Sequence, residues 1–99
     1  MSKGYWIALY KKIESKDNLG NYAKLATEAI KKHGGKPLVR GGNYNTLEGE
    51  NYPRTVIWEF PTFDAANNCY NSNEYQSAWK LAQATTDRNL QIVEGFSTE

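Results

Sequence analysis

Two stretches, Tyr5 to Tyr10 and Arg54 to Phe60, carry large apolar side chains on both faces of an extended chain, and this double alternation is the strongest limit on the fold. Successive strand residues point to opposite sides of a sheet. Trp6, Ala8 and Tyr10 then face one way and Tyr5, Ile7 and Leu9 the other, while Val56, Trp58 and Phe60 oppose Thr55, Ile57 and Glu59. A sheet covered on one side only alternates apolar with polar residues, so two apolar sets call for two covers.

The remaining elements supply one cover. The first strand runs from Tyr5 to Ile13 and gives way to a polar run in which Asp17 or Asn18 is the expected helix N-cap. Leu19, Tyr22, Ala23, Ala26, Ile30 and His33 recur at helical spacing, and Gly34-Gly35 ends that stripe. Pro37 to Leu47 reads as a second extended segment interrupted by Gly41-Gly42, the mark of a bulge or a close backbone approach. The loop Glu48 to Pro53 returns the chain into the strand Arg54 to Phe60. Thr62 caps a helix with Phe63, Ala66 and Tyr70 on its buried side. Asn71-Ser72 breaks it, and Asn71 with Glu74 forms a capping box for a further helix bearing Tyr75, Ala78, Trp79 and Ala82. Asn89 to Gly95 is the last strand. The order is β, α, β, β, broken α, β, and right-handed crossovers place both helical segments on the same face. An α+β, ferredoxin-like βαββαβ domain with a four-stranded antiparallel sheet is expected across 1–99, a length that suits one core.

The second face then needs a partner. About seven large side chains at roughly 100 Å² each would exceed the ~300–600 Å² apolar patch that monomers tolerate. A second copy, packed sheet to sheet, is the simplest cover, and at about 25 cal/mol per Å² it gains of order 15 kcal/mol per subunit before association costs. The tail Phe96 to Glu99 is too short to span a sheet.

Composition excludes several functions. Hydrophobic content of 39% with 13% aromatic residues is that of a globular chain. The net charge is +1 and the basic residues are scattered, with Lys11-Lys12 and Lys31-Lys32 at element ends, so no nucleic-acid footprint is present. The single cysteine, Cys69, permits neither an intrachain disulfide nor a thiolate metal site, and the single histidine permits no His-rich metal centre. The apolar run Tyr5 to Tyr10 is too short for a signal core or a membrane span. No glycine-rich phosphate loop or dinucleotide fingerprint occurs. The expectation is a cytoplasmic protein without metal or cofactor and without a nucleic-acid or membrane partner.

The segments Tyr5-Trp6-Ile7-Ala8, His33-Gly34-Gly35, Val39-Arg40-Gly41-Gly42, Leu47-Glu48-Gly49, Trp58-Glu59-Phe60-Pro61, Ala65-Ala66, Ser72-Asn73-Glu74-Tyr75 and Ile92-Val93-Glu94-Gly95 stand in a characteristic order and spacing. In them the chain resembles, over nearly its whole length, the bacterial family known as domain of unknown function 1330. The resemblance implies a dimeric α/β barrel, in which ferredoxin-like subunits pair through their sheets. That superfamily includes monooxygenases acting on polyketides, haem-degrading enzymes, chlorite dismutases, muconolactone isomerases and ligand-binding regulators, so it leaves the chemistry open. Cys69 stands where relatives often carry Trp, Asn73 where they often carry Pro, and Ala82 near a position where Arg is common.

Arg40 is the leading site candidate, a permanently charged fork beside Gly41 and Gly42 that can clamp a carboxylate or enolate oxygen, or else pair with Glu59 or Glu48. Glu59, inside an apolar strand, must either pair with Arg40 or Arg54 or titrate high enough to move a proton. His33 can serve as acid or base, or cap a helix end. Glu94 forms an edge contact or meets a ligand. Trp6 and Tyr70 are expected to reach a cavity, with the other aromatics in packing, and Cys69 to be inert. These residues describe a small-molecule-binding homodimer that acts as a cofactor-independent enzyme on a small anionic or aromatic substrate, or alternatively serves as a non-catalytic ligand sensor or dimerisation module. Light scattering at micromolar concentration should return twice the 11.2 kDa chain mass, and a value near 11.2 kDa would contradict the dimer.

Overall fold

The computed structural model describes residues 2–97, so the last two tail residues, Thr98 and Glu99, lie outside the described residues. The elements are β1 (Gly4–Ile13), α1 (Lys16–Lys32), β2 (Lys36–Arg40), β3 (Arg54–Phe60), α2 (Phe63–Asn71), α3 (Asn73–Trp79), a short 3-10 turn (Gln83–Thr85) and β4 (Thr86–Glu94). The sheet is antiparallel throughout, in the order β2-β3-β1-β4. This is the α+β ferredoxin-like arrangement, with the second helical segment broken at Ser72.

Alternation sorts the sheet as its sequence demands. Trp6, Ala8, Tyr10, Trp58 and Phe60 are buried beneath the helices, where they meet Tyr22, Ala26 and Ile30 of α1, Ala66 and Cys69 of α2, and Tyr75 and Ala78 of α3. On the reverse face Ile7 pairs with Ile57, Tyr5 with Val93, and Val39 with Ile57, and among the described residues no helix packs over them. This apolar set is narrower than the first and third strands suggest. Thr55, Glu59, Asn89 and Gln91 share the same face and frame it with polar groups.

Five local details differ from the sequence expectation. α1 starts at Lys16, because the Ser15 hydroxyl rather than Asp17 or Asn18 accepts the first free amide, that of Asn18, at 3.1 Å. β2 ends at Arg40 instead of reaching Leu47. Gly41 and Gly42 take φ of +76° and +95°, outside the extended region, and the bulge falls between Pro37 and Val39. Ser72 replaces Asn71 as the cap of α3. Its hydroxyl accepts from the Tyr75 amide at 3.2 Å and donates to the Cys69 carbonyl at 2.6 Å, ending one helix and starting the next. β4 begins at Thr86, three residues before Asn89, because Asp87 and Arg88 already pair with Lys12 and Tyr10 of β1. On α2 the buried pair is Ala66 and Cys69, whereas Phe63 is exposed and Tyr70 half-buried.

α1 terminates on Gly34 at φ +83°, with the Gly35 amide bonded to the Ile30 carbonyl at 2.9 Å and the Gly34 amide to that of Lys31 at 3.0 Å. An L side chain there adopts a left-handed conformation, and its Cβ would press on the Pro61 ring. Gly34→Ala should therefore lose about 1–2 kcal/mol in urea unfolding with an unchanged m-value; a neutral substitution would show that this cap does not set the helix end.

Candidate functional site

Residues paired directly across an antiparallel sheet share a face, and this rule assembles the site. Ala8 lies between Val56 of β3 and Leu90 of β4, and Ala23 and Ala26 of α1 line the space above it. Small side chains on both layers leave a cavity of about 50 Å³ that opens to solvent. Trp6, Trp58, Tyr10 and Tyr22 form aromatic walls. The hollow has room for a group smaller than a whole ring, since a cavity that encloses a benzene molecule is about 150 Å³.

Cations come from three strands. Arg40 pairs with Val56, and Arg54 and Arg88 both pair with Tyr10, so all three guanidinium-bearing side chains stand on the face of Trp6, Ala8 and Tyr10 and line the cavity. Arg40 lies over Trp58, 5.4 Å from the ring centroid. Arg54 leans against Gly41, where a Cβ would collide with its guanidinium, and the Gly41 amide donates to the Thr55 carbonyl at 2.8 Å. The absent side chain at Gly41 thus leaves room for an arginine. Among the described residues no Asp, Glu or His lines the cavity, and none of the three arginines forms a salt bridge.

Arg88 is the most constrained of them. Its guanidinium stacks 3.6 Å from the centroid of Trp79 and donates to the hydroxyls of Tyr10 at 3.1 Å, Tyr22 at 3.3 Å and Tyr75 at 2.7 Å. Tyr22 and Tyr75 are also joined hydroxyl to hydroxyl at 2.7 Å. Burial alone would favour loss of the proton from Arg88, but the surrounding phenol oxygens outweigh it and raise its pKa. Burial drives the Tyr22 and Tyr75 phenols upward as well, which keeps them as neutral hydroxyls. The cage solvates a full positive charge without neutralising it.

The sequence-derived candidates scatter. Arg40 and Trp6 reach the cavity, and the Trp6 ring is locked by an Nε1 donation to the Ala66 carbonyl at 2.9 Å. Gly41 and Gly42 follow β2, with Gly41 occupied by Arg54 and Gly42 facing open space. Glu59 is on the opposite face from Arg40, so neither the pair with Arg40 nor that with Arg54 forms. It takes a hydrogen bond from Lys3 at 3.0 Å and one from Tyr5 at 3.3 Å. The Lys3 hydrogen bond holds its carboxyl below the usual range, the reverse of what proton transfer near neutral pH requires. His33 caps α1, its Nδ1 2.9 Å from the Ala29 carbonyl, away from the cavity lining. Tyr70 packs edge-on against Trp6 at 6.1 Å without lining the cavity, and Glu94 is an exposed strand end opposite Gly4. Cys69 is buried and its thiol is pushed up to about 12 by desolvation.

Arg54, Arg88 and Tyr22 were not among those candidates. The signal for Arg88 lies in its phase, two residues before Leu90 and four before Ile92 on the buried side of β4. Starting the strand at Asn89 hides that phase. Among the described residues no His, Cys, Asp and Glu group could hold a metal ion, and no helix is long and apolar enough to cross a membrane.

The sequence profile of a family described as "Domain of unknown function (DUF1330)" matches residues 3–96. No curated protein matches the chain. Among solved structures, a protein of unknown function from Rhodopseudomonas palustris superposes with a TM-score of 0.75 at 19% identity, covering 97% of this chain and 84% of that one. A dimeric ferredoxin-like protein of unknown function from Thermobifida fusca matches at 0.53 and 14% identity, over 93% and 90% of the two chains. SnoaB, a cofactor-independent oxygenase from Streptomyces nogalater, matches at 0.61 and 5% identity, over 99% and 97%. At these identities the likeness establishes the fold.

Removing one hydroxyl from the cage tests its geometry. Tyr75→Phe strands an Arg88 N–H and removes one of the two partners of the Tyr22 hydroxyl, and should destabilise the chain by about 1–3 kcal/mol in urea; a change below a few tenths would show that water replaces the phenol freely.

Proposed function

The chain belongs to the DUF1330 family, and on that footing we propose that it is a homodimer whose subunits each bind a small flat anion in the arginine-rimmed cavity between α1 and the sheet. One observation carries this reading: three guanidinium groups face one aromatic-walled cavity that no carboxylate among the described residues lines. Like charges brought together without a counter-ion oppose folding. A ligand anion removes that penalty, and forked N–H donors recognise carboxylate and enolate oxygens through paired, charge-assisted bonds. Trp6, Trp58, Tyr10 and Tyr22 supply the flat apolar surface that an aromatic or conjugated body needs.

The same groups suit catalysis without a cofactor. An oxyanion developing on a bound ring would meet donors already in place, which is the electrostatic contribution an enzyme makes to such a step. The likeness to SnoaB supports carrying the reading from binding to turnover. Glu59 and His33 take no part in it, since both lie away from the cavity. The open sheet face supports the dimer, as does the dimeric description of the Thermobifida fusca protein. Pairing through that face leaves one cavity per subunit on the opposite side of the sheet.

Tryptophan fluorescence can read binding directly, because Trp6 and Trp58 line the cavity. Benzoate or 1-naphthoate at low ionic strength should give a saturable change that benzamide does not, weakening as KCl is added. In Arg40→Met, with the dimer intact, the weakening of benzoate binding by KCl should be shallower than in the wild type, because one of the three cations that set the field at the cavity is gone. If no aromatic acid changes either the fluorescence or the melting temperature, the binding reading is wrong. Saturable binding without turnover of any ligand would identify a sensor.

A further inference from the structure

The three cations are not clustered at one point. Arg40 rises from β2 at one edge of the sheet and leans inward over Trp58 of β3, whereas Arg88 rises from β4 at the other edge and is held over Trp79 and Tyr10. The Ala8 hollow lies on the strand between them. Neighbouring strands are about 4.8 Å apart, so β2 and β4 are roughly 14 Å apart, and the two inward-leaning guanidinium groups bracket a gap about one aromatic ring with its substituents long. The bracket is also graded in depth. Arg88 is half-buried and fixed by phenols, whereas Arg40 is exposed at the mouth.

The phenols leave part of Arg88 available. They engage three of the five guanidinium N–H groups, which leaves two donors free to meet a further acceptor. A hollow of about 50 Å³ cannot enclose a whole ring, so any ligand whose head enters it must extend along the mouth past Arg40. Resting on the anion-binding reading above, we propose that the ligand is a linear two-ended anion: a flat conjugated or aromatic acid with one carboxylate or acidic oxygen in the hollow at Arg88 and a second at the opposite end of the ring on Arg40. Ala8, Ala23 and Ala26 form the clearance for the ring edge. Arg54, beside Tyr10, adds positive field along the path without lying at either end.

The three benzenedicarboxylates separate geometry from charge, because they carry the same two negative charges at different spacings. Titrations with terephthalate, isophthalate, phthalate and benzoate, read by tryptophan fluorescence and calorimetry, should rank terephthalate at least tenfold tighter than phthalate, with phthalate near benzoate. Arg40→Met should bring terephthalate to the benzoate level while leaving benzoate itself within about threefold, because benzoate's one carboxylate takes the deep end and Arg40 then contributes only field; Arg40→Lys should restore part of the gain. Three isomers of equal affinity would overturn the two-ended ligand while leaving simple anion binding in place. A benzoate affinity that falls as far as that of terephthalate in Arg40→Met would also overturn it, by placing the single anion at the mouth. Failure of every acid to bind would remove both readings.

Discussion

Arg88 is a positive charge held between a sheet and two helices, and much of the arrangement around it follows from keeping its donors satisfied. Its hydroxyl partners come from β1, α1 and α3, and the Trp79 ring closes one side. The cage therefore joins four elements through one side chain. A carboxylate in place of any phenol would have made a neutral ion pair, which is the common solution for a partly buried cation. Phenols solvate the charge but leave its field directed into the adjoining space.

That space exists because of residue size rather than any special backbone. The sheet is rich in Trp and Tyr, which would fill the interlayer completely if the facing positions were also large. Ala8 opposite Ala23 and Ala26 prevents it. The wall residue Trp6 is held by contacts that do not need a ligand, through its bond to Ala66 and its tilted stack on Phe60 at 5.2 Å. The site is accordingly rigid on its aromatic side and exposed at Arg40.

The fold was legible because strand alternation and helix periodicity are local signals. The face assignments of Trp6, Ala8, Tyr10, Val56, Trp58 and Phe60 needed only their spacing, and Thr62 as a cap needed only its place before Phe63. Much of the site was not legible. Glu59 looked available because a carboxylate in an apolar strand needs a partner, but the partner, Lys3, lies just before β1 and reaches it only after β1 and β3 pair. Gly41-Gly42 read as an approach for a ligand, yet the space at Gly41 is filled by Arg54 from the neighbouring strand. Arg88 was concealed by polar residues on either side of it, since Asp87 and Asn89 face away from the helices and make the strand's beginning resemble a loop. In each case the deciding contact is between strands, which spacing along one segment does not encode.

The segment from 41 to 53, between β2 and β3, has no regular structure and begins at the mouth of the cavity. Exposed contacts tie it down: Lys11 to Glu50 at 2.6 Å, and the Asn89 side-chain amide to the Tyr52 hydroxyl at 3.2 Å. Contacts of this kind contribute little to folding free energy. Tyr44 and Leu47 are exposed on the same segment, outside the core. Changes of length or composition here would leave the helix–sheet packing untouched while reshaping the entrance to the cavity. The edge of the cavity can thus vary between relatives without endangering the core beneath it.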